Sequence, residues 1–246
     1  MAKTQTVFAR YEKKYVVSSK KYAKLIEKIT PYMALDEYGK YTICNIYYDT
    51  DSYELIRHSL DKPSYKEKLR IRSYGTPHDE DSVFIELKKK VNGIVYKRRT
   101  ILPCAIAMDY MNRCIMPKND QILKEIGWFI QRYDLSKQTY IAYDRMAYFG
   151  KENHDLRITF DFDLRYRLDH CDLRFKDDGA PILDHNDILM EIKMPLAMPL
   201  WLSNILNELE IYPCSFSKYG TCYREHIFAQ EKNRRICLCL IVFLHR

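Results

Sequence analysis

Cations and lone carboxylates recur at every second position in several segments of this chain. In "YKEKLRIRSYG", Tyr65 to Gly75, the residues Lys66, Lys68, Arg70 and Arg72 alternate with Tyr65, Glu67, Leu69, Ile71 and Ser73. Successive side chains of a strand point to opposite faces, so the four cations share one face. Arg10, Glu12 and Lys14 alternate in the same way with Val7, Ala9, Tyr11, Tyr15 and Val17. "TYIAYDRMAYF" puts Tyr143 and Arg145 on one face. "DLRITFDFDL" sets Arg157, Thr159, Asp161 and Asp163 against Leu156, Ile158, Phe160 and Phe162. "DILMEIKMP" sets Glu191 and Lys193 against Ile188, Met190 and Ile192. Lys and Arg dominate these ionic faces, and the acids on them stand apart as Glu12, Glu86, Asp161, Asp163 and Glu191. Arginine grips phosphate oxygens with a planar fork and lysine meets them as a point charge. An isolated carboxylate holds Mg²⁺ or Mn²⁺ through oxygen, often with water completing the shell. The pattern suits a polyanion and a divalent metal.

These faces need elements to position them. Asn92-Gly93 between two β-rich runs predicts a two-residue hairpin turn. That turn pairs Val91 with Ile94, which sets Lys88 opposite Lys97 and Glu86 opposite Arg99. Like charges directly opposite weaken a ladder, and a polyanion lying across them removes the penalty. "YTICNIYYDT" reads as a strand, and Tyr11, Tyr15 and Tyr48 sit in core-like surroundings. Ser18 caps a helix carrying Tyr22, Leu25, Ile26 and Ile29, and Asp51 caps a short one in "DSYELIRHSL". Further helices are expected over about Ala105 to Met116, Asp120 to Tyr133 and Leu200 to Glu210, followed by a loop, "YPCSFSKYGTCYRE", that carries Lys218. The fold class expected is α+β. The strands close into an antiparallel β-barrel tunnel with helices packed outside, and the ionic faces line the channel. Buried charge without a partner is costly, so such a channel must hold something. An open sheet with one wet face shows the same alternation, but ordinary wet faces carry more Thr, Ser and Gln than these do.

The 246 residues are 47% hydrophobic and 30% charged, with a net charge of +7. That predicts one domain over residues 1–230 and a basic, then apolar, tail over 231–246. The mild positive excess agrees with an anionic partner. The 8 cysteines show no metal-ligand spacing and read as free thiols of a reducing, cytoplasmic compartment. His58, His78, His154, His170, His185 and His226 have no paired spacing and read as surface residues. The opening residues lack the apolar stretch of a signal peptide. The apolar run Ile236 to Leu244 falls far short of the about 20 residues a helical span needs; it reads as a buried final strand, with a partner contact or a truncated anchor as alternatives.

The segments "RYEKKYVVS", "KEKLRIRSYG", "VFIELKKK", "YKRRTIL", "AYDRMAYF", "LRITFDFDL", "ILMEIKMP" and "SFSKYG" stand in the order found in the VTC (vacuolar transporter chaperone) polyphosphate polymerase domain. The chain resembles that domain over about residues 7 to 228. The domain belongs to the triphosphate tunnel metalloenzymes, which also include the CYTH proteins. The resemblance implies transfer of the ATP γ-phosphoryl group to a growing inorganic polyphosphate chain, with Mn²⁺ or Mg²⁺ as cofactor. It implies Lys14, Arg70, Arg72, Lys88, Lys97, Arg145, Arg157 and Lys218 as catalytic phosphate ligands. Glu191 is the implied metal ligand, and Arg99, Tyr143, Lys193 and Ser217 are implied substrate contacts, with Glu86 in a supporting role. ATP and polyphosphate are the implied partners, together with a membrane protein that exports or stores the product; nucleic acid is not among them. The alternatives are an inorganic triphosphatase or polyphosphate hydrolase of the same fold, and a non-catalytic polyphosphate-binding module. Where the wider superfamily opens with ExExK, this chain has Arg10-Tyr11-Glu12-Lys13-Lys14, which disfavours a two-metal hydrolytic site. No SPX-type regulatory domain is recognisable, and the resemblance implies a stand-alone catalytic domain of the bacterial kind, associated with membranes only through a partner or the tail.

Overall fold

Alternating apolar and ionic residues become strands because that spacing gives each strand one face to bury. The computed structural model describes residues 11–229 apart from Gly93 and Leu196. The expectations for Val7, Ala9, Arg10, Gly93 and the tail from 231 onward lie outside the described residues. In chain order the elements are β1 (Tyr11–Ser18), α1 (Ser19–Ile29), β2 (Met33–Asp49), α2 (Glu54–Leu60), β3 (Tyr65–Tyr74), β4 (Ser82–Val91) and β5 (Ile94–Pro103). There follow α3 (Cys104–Arg113), α4 (Gln121–Tyr133), β6 (Ser136–Gly150), β7 (Arg157–Arg167), a two-residue β8 (Ala180–Pro181), β9 (Asp187–Met194), α5 (Leu200–Glu208), α6 (Lys218–Cys222) and a π-helical turn, Tyr223–Ile227.

The strands form one antiparallel sheet in the order β1-β9-β7-β6-β2-β3-β4-β5, with β8 added beside β7. The hairpin register is the expected one: Val91 pairs with Ile94, Lys88 with Lys97 and Glu86 with Arg99. The expected closed barrel is not formed. Among the described residues β1 and β5 do not pair, and both end the path. The free edge of β1 is met by the segment ahead of α6, where the Cys214 amide donates to the Lys14 carbonyl at 2.7 Å. On β5, Ile94, Val95 and Tyr96 are exposed.

Three apolar clusters hold the sheet. Leu69, Ile71, Ile85 and Leu87 pack under α3 and α4, where Leu123, Ile126 and Phe129 are fully buried. Tyr15, Val17, Ile158, Phe160, Met190 and Ile192 pack under α1 and α5. These two clusters lie on the outer face, as expected. The third lies on the other face, where Tyr47, Ile141, Tyr143 and Leu189 meet Tyr219, Cys222, Tyr223 and Ile227. So the helices are not all outside: α6 and the π-helical turn, read as loop in the sequence, fill part of the inner face. Their Tyr, Cys and Ile side chains supply the apolar surface that the inner residues of β2 and β6 need.

Local corrections have local causes. Ser18 caps α1, accepting from the Lys21 amide at 3.4 Å, but α2 is not capped by Asp51. Buried Asp49 accepts from the amides of Leu55 (2.9 Å) and Ile56 (3.0 Å), while Asp51 takes bonds from Ser136 and Gln138. Tyr11 is 58% exposed, whereas Tyr15 and Tyr48 are buried as expected. His226 is half-buried and stacks on Tyr166 with 4.7 Å between ring centroids. The alternation in β7 holds through Phe162 and then breaks. Asp163 adopts φ +46° at a register shift, a bulge that carries Leu164 and Tyr166 onto the inner face.

Candidate functional site

Every second residue of β3, β4 and β5 looks inward, and the register stacks them in rows. Lys68, Lys88 and Lys97 form one row; Arg70, Glu86 and Arg99 form the next. In the second row Glu86 is the hub and is almost wholly buried. Its Oε2 accepts from Arg70 at 2.8 and 2.7 Å, and its Oε1 lies 2.5 Å from Lys97 Nζ and 3.5 Å from Arg99 Nε. Burial pushes this carboxyl up, but Arg70, Arg72 and Lys97 outweigh burial and hold it at about 2. Arg72 donates to Asn45 Oδ1 at 2.9 Å and to the Tyr143 hydroxyl at 3.3 Å, while Arg70 reaches the Tyr47 hydroxyl at 3.2 Å. Arg99 also lies 3.6 Å over the Phe84 ring.

A second buried acid, Asp161 of β7, anchors the middle of the sheet. Arg145 grips it with two bonds of 2.6 and 2.8 Å, and Lys218 at the start of α6 reaches it at 2.5 Å. Burial raises this carboxyl, and Lys218 and Arg145 outweigh burial and bring it below the ordinary carboxylate range. Tyr143 lies between the two hubs, with Lys218 Nζ 4.3 Å over its ring. Burial pushes its phenol up; Arg72, Arg145 and Lys218 bring it down to about 8.

At the far end of the sheet Glu191 of β9 lies 2.7 Å from Lys193 and 3.8 Å from Lys14, and Lys14 lies 3.3 Å from Glu12. Burial raises the Glu191 carboxyl, but Lys193 and Lys14 hold it well below its ordinary value. The sheet curls so that its ends face each other: Glu12 and Lys14 on β1 act electrostatically on Lys88 of β4, nearly the whole strand path away. Lys14 Nζ also donates to the Phe216 carbonyl at 3.3 Å.

The fold thus brings together Lys14, Arg70, Arg72, Lys88, Lys97, Arg99, Tyr143, Arg145, Glu191, Lys193, Ser217 and Lys218. Arg157 shares the inner face of β7 but sits at its exposed end, opposite Lys193. Two residues without an assigned role belong here. Asp161 had shown only as an isolated acid. Lys68 donates to Ser217 Oγ at 3.0 Å, and its only signal was membership of the basic face. For a divalent ion, no group of three or more His, Cys, Asp or Glu side chains among the described residues could hold a metal alone. Glu191 and Glu12 offer hard oxygen donors without sulfur or imidazole, which fits Mg²⁺ or Mn²⁺ completing its shell with phosphate oxygens and water.

A curled antiparallel sheet of this kind also occurs in solved proteins. A putative adenylate cyclase from Bacillus halodurans is 15% identical, covering 84% of this chain and 92% of its own, with a TM-score of 0.52. A putative adenylyl cyclase from Hippeastrum, described as having a dominant triphosphatase activity, is 14% identical, covering 87% of this chain and 94% of its own, with a TM-score of 0.52. At such identities the likeness is one of fold. The VTC domain family matches residues 9–226, and the chain belongs to that family. It is 25% identical to vacuolar transporter chaperone complex subunit 4 of Trypanosoma brucei brucei over 87% of this chain, and it spans 34% of that protein's length.

Proposed function

We propose that the chain is a polyphosphate polymerase that transfers the γ-phosphoryl group of ATP to the end of an inorganic polyphosphate chain held along the curled inner face. One observation carries this reading. Cations from β1, β3, β4, β5, β6, β9 and α6 converge on one face whose buried acids are already saturated by them. A phosphate chain supplies the negative charge that this face lacks, and membership of the VTC domain family supports that choice of anion.

The reaction asks for positioning and neutralisation more than for covalent chemistry. Arg70, Arg72 and Arg145 offer rigid forks whose donors are already aimed by Glu86, Asn45 and Asp161. Little reorganisation is then needed as charge shifts between phosphate oxygens. Lys14, Lys88, Lys97, Lys193 and Lys218 add point charges, Arg99 flanks the row of Glu86, and Arg157 guards the exposed end. Tyr143, acidified by its three cationic neighbours, is a strong hydrogen-bond donor to an anionic oxygen. Ser217 holds the start of α6 and so the position of Lys218. Glu191, with Glu12 nearby, would hold Mg²⁺ or Mn²⁺, which supplies further charge neutralisation on the phosphates when bound.

Incubating the pure protein with ATP and Mn²⁺, then separating the products on a gel, tests the reading. A ladder of polyphosphate supports it. Free phosphate as the sole product replaces it with the triphosphatase alternative. Polyphosphate binding without turnover leaves a binding module.

A further inference from the structure

Most inner-face cations share a carboxylate: Glu86, Asp161 or Glu191. Lys68 and Lys88 differ. They stand opposite each other in the β3–β4 register, and neither forms an ion pair among the described residues. Lys68 is nonetheless fixed, because its Nζ donates to Ser217 Oγ at 3.0 Å. That same oxygen accepts the Gly220 amide at 3.2 Å and so caps the helix that begins with Lys218.

We propose that Lys68 and Lys88 form a phosphate subsite of their own, which takes one phosphate group of a linear polyphosphate chain, and that Lys68 couples its occupancy to Lys218 through Ser217. The inference rests on the polyphosphate reading above. The groups facing Lys68 are Lys66 and Arg70 on its own strand, Lys88 on β4 and Lys14 on β1, with neutral Ser217 ahead of α6. Glu12 and Glu191 act on Lys88, but Lys88 is still held down by burial and by Lys14 and Arg70. Burial first, then the surrounding cations, bring the Lys68 ammonium down to about 7. Near neutral pH about half of the molecules therefore carry this proton. A phosphate beside Lys68 favours the charged form, so anion and proton bind together.

The test is calorimetric titration of tripolyphosphate into the full chain at pH 7 without metal or nucleotide, in two buffers of unequal ionisation heat. Wild type is expected to take up about half a proton more than Lys68→Arg, whose guanidinium is always charged. The difference should vanish near pH 5.5, where Lys68 is charged beforehand. Lys68→Met should weaken binding tenfold or more, and Lys68→Arg should restore it. Ser217→Ala should cost less affinity in the Lys68→Met background than in wild type. Equal proton uptake by wild type and Lys68→Arg overturns the proposal, as does undiminished binding by a folded Lys68→Met protein; additive losses overturn the coupling. Repeating the titration with a non-hydrolysable ATP analogue assigns the subsite to the nucleotide if Lys68→Met weakens both ligands, and to the polymer if it weakens tripolyphosphate alone. Failure of the gel assay sinks the polymerase reading and leaves this subsite standing. Unchanged tripolyphosphate binding does the reverse.

Discussion

At the scale of single residues, the site is governed by how three acids are shared among many cations. Glu86 is held at about 2, below the ordinary 4.5 of a glutamate. A carboxyl with a lowered folded-state value contributes stability that is fully present above pH 4.5 and is lost as pH falls toward 2. The span corresponds to about 3 kcal/mol. Glu86→Gln should therefore lower the melting temperature at pH 7, leave a shallower loss of stability between pH 4.5 and 2, and regain stability when tripolyphosphate replaces the missing charge. A melting temperature that tripolyphosphate moves equally in both proteins would remove Glu86 from the site. Glu191→Gln keeps shape and removes charge. Turnover of ATP should drop by orders of magnitude at every Mn²⁺ concentration while the melting transition persists, and unchanged turnover across that titration would refute the assignment. Alternation alone made Lys14, Arg70, Arg72, Arg145 and Glu191 legible as one face. It could not show which cations are already matched. Whether Lys97 reaches across to Glu86, or Lys68 to Ser217, depends on side-chain reach within the folded sheet and leaves no trace in spacing.

At the scale of elements, Asp49 is the staple. Its two oxygens accept from the amides of Leu55 and Ile56 and from the Tyr219 hydroxyl at 3.1 Å, binding α2 and α6 to the end of β2. Burial raises its carboxyl despite these bonds. Asp49→Ala leaves buried donors unmatched and should cost about 2 kcal/mol. Because α6 carries Lys218, the variant should also raise KM for polyphosphate while far-ultraviolet circular dichroism stays native; an unchanged KM would separate α6 from the site. The strands, the hairpin register, α1 and α4 were legible because their periods run cleanly and Ser18 caps where expected. The segment after α5 was not. Lys218 to Ile227 is short, contains a glycine and turns as a π-helix, and its apolar side chains make sense only against Tyr47 and Leu189 of distant strands.

At the scale of the whole molecule, a face with more cations than carboxylates repels itself when empty. Tripolyphosphate should raise the melting temperature, by about 2.7 kcal/mol of added stability at a hundredfold excess over Kd. Raising salt should erode the effect through screening. A ligand-independent melting temperature would contradict the shared inner face. Arg70→Ala should weaken ATP and tripolyphosphate alike and more than Arg157→Ala, since Arg157 stands at the exposed end. Equal losses would place Arg157 deeper than its position in β7.

If the chain is the polymerase proposed above, the gap between β1 and β5 bears on how a long product leaves. A ring closed by hydrogen bonds would thread the polymer like a bead on a string, and release would require sliding the whole length past the cations. Among the described residues the seam has no backbone ladder, and the segment from Cys214 to Ser217 runs across the mouth, tied to Lys14 and Lys68. A finished chain can therefore peel off sideways once that strap lets go. The length distribution of the product then reports the lifetime of two lysine contacts: cutting either tie should yield shorter chains, released earlier, and should also slow addition, because Lys14 and Lys68 meet the phosphates themselves.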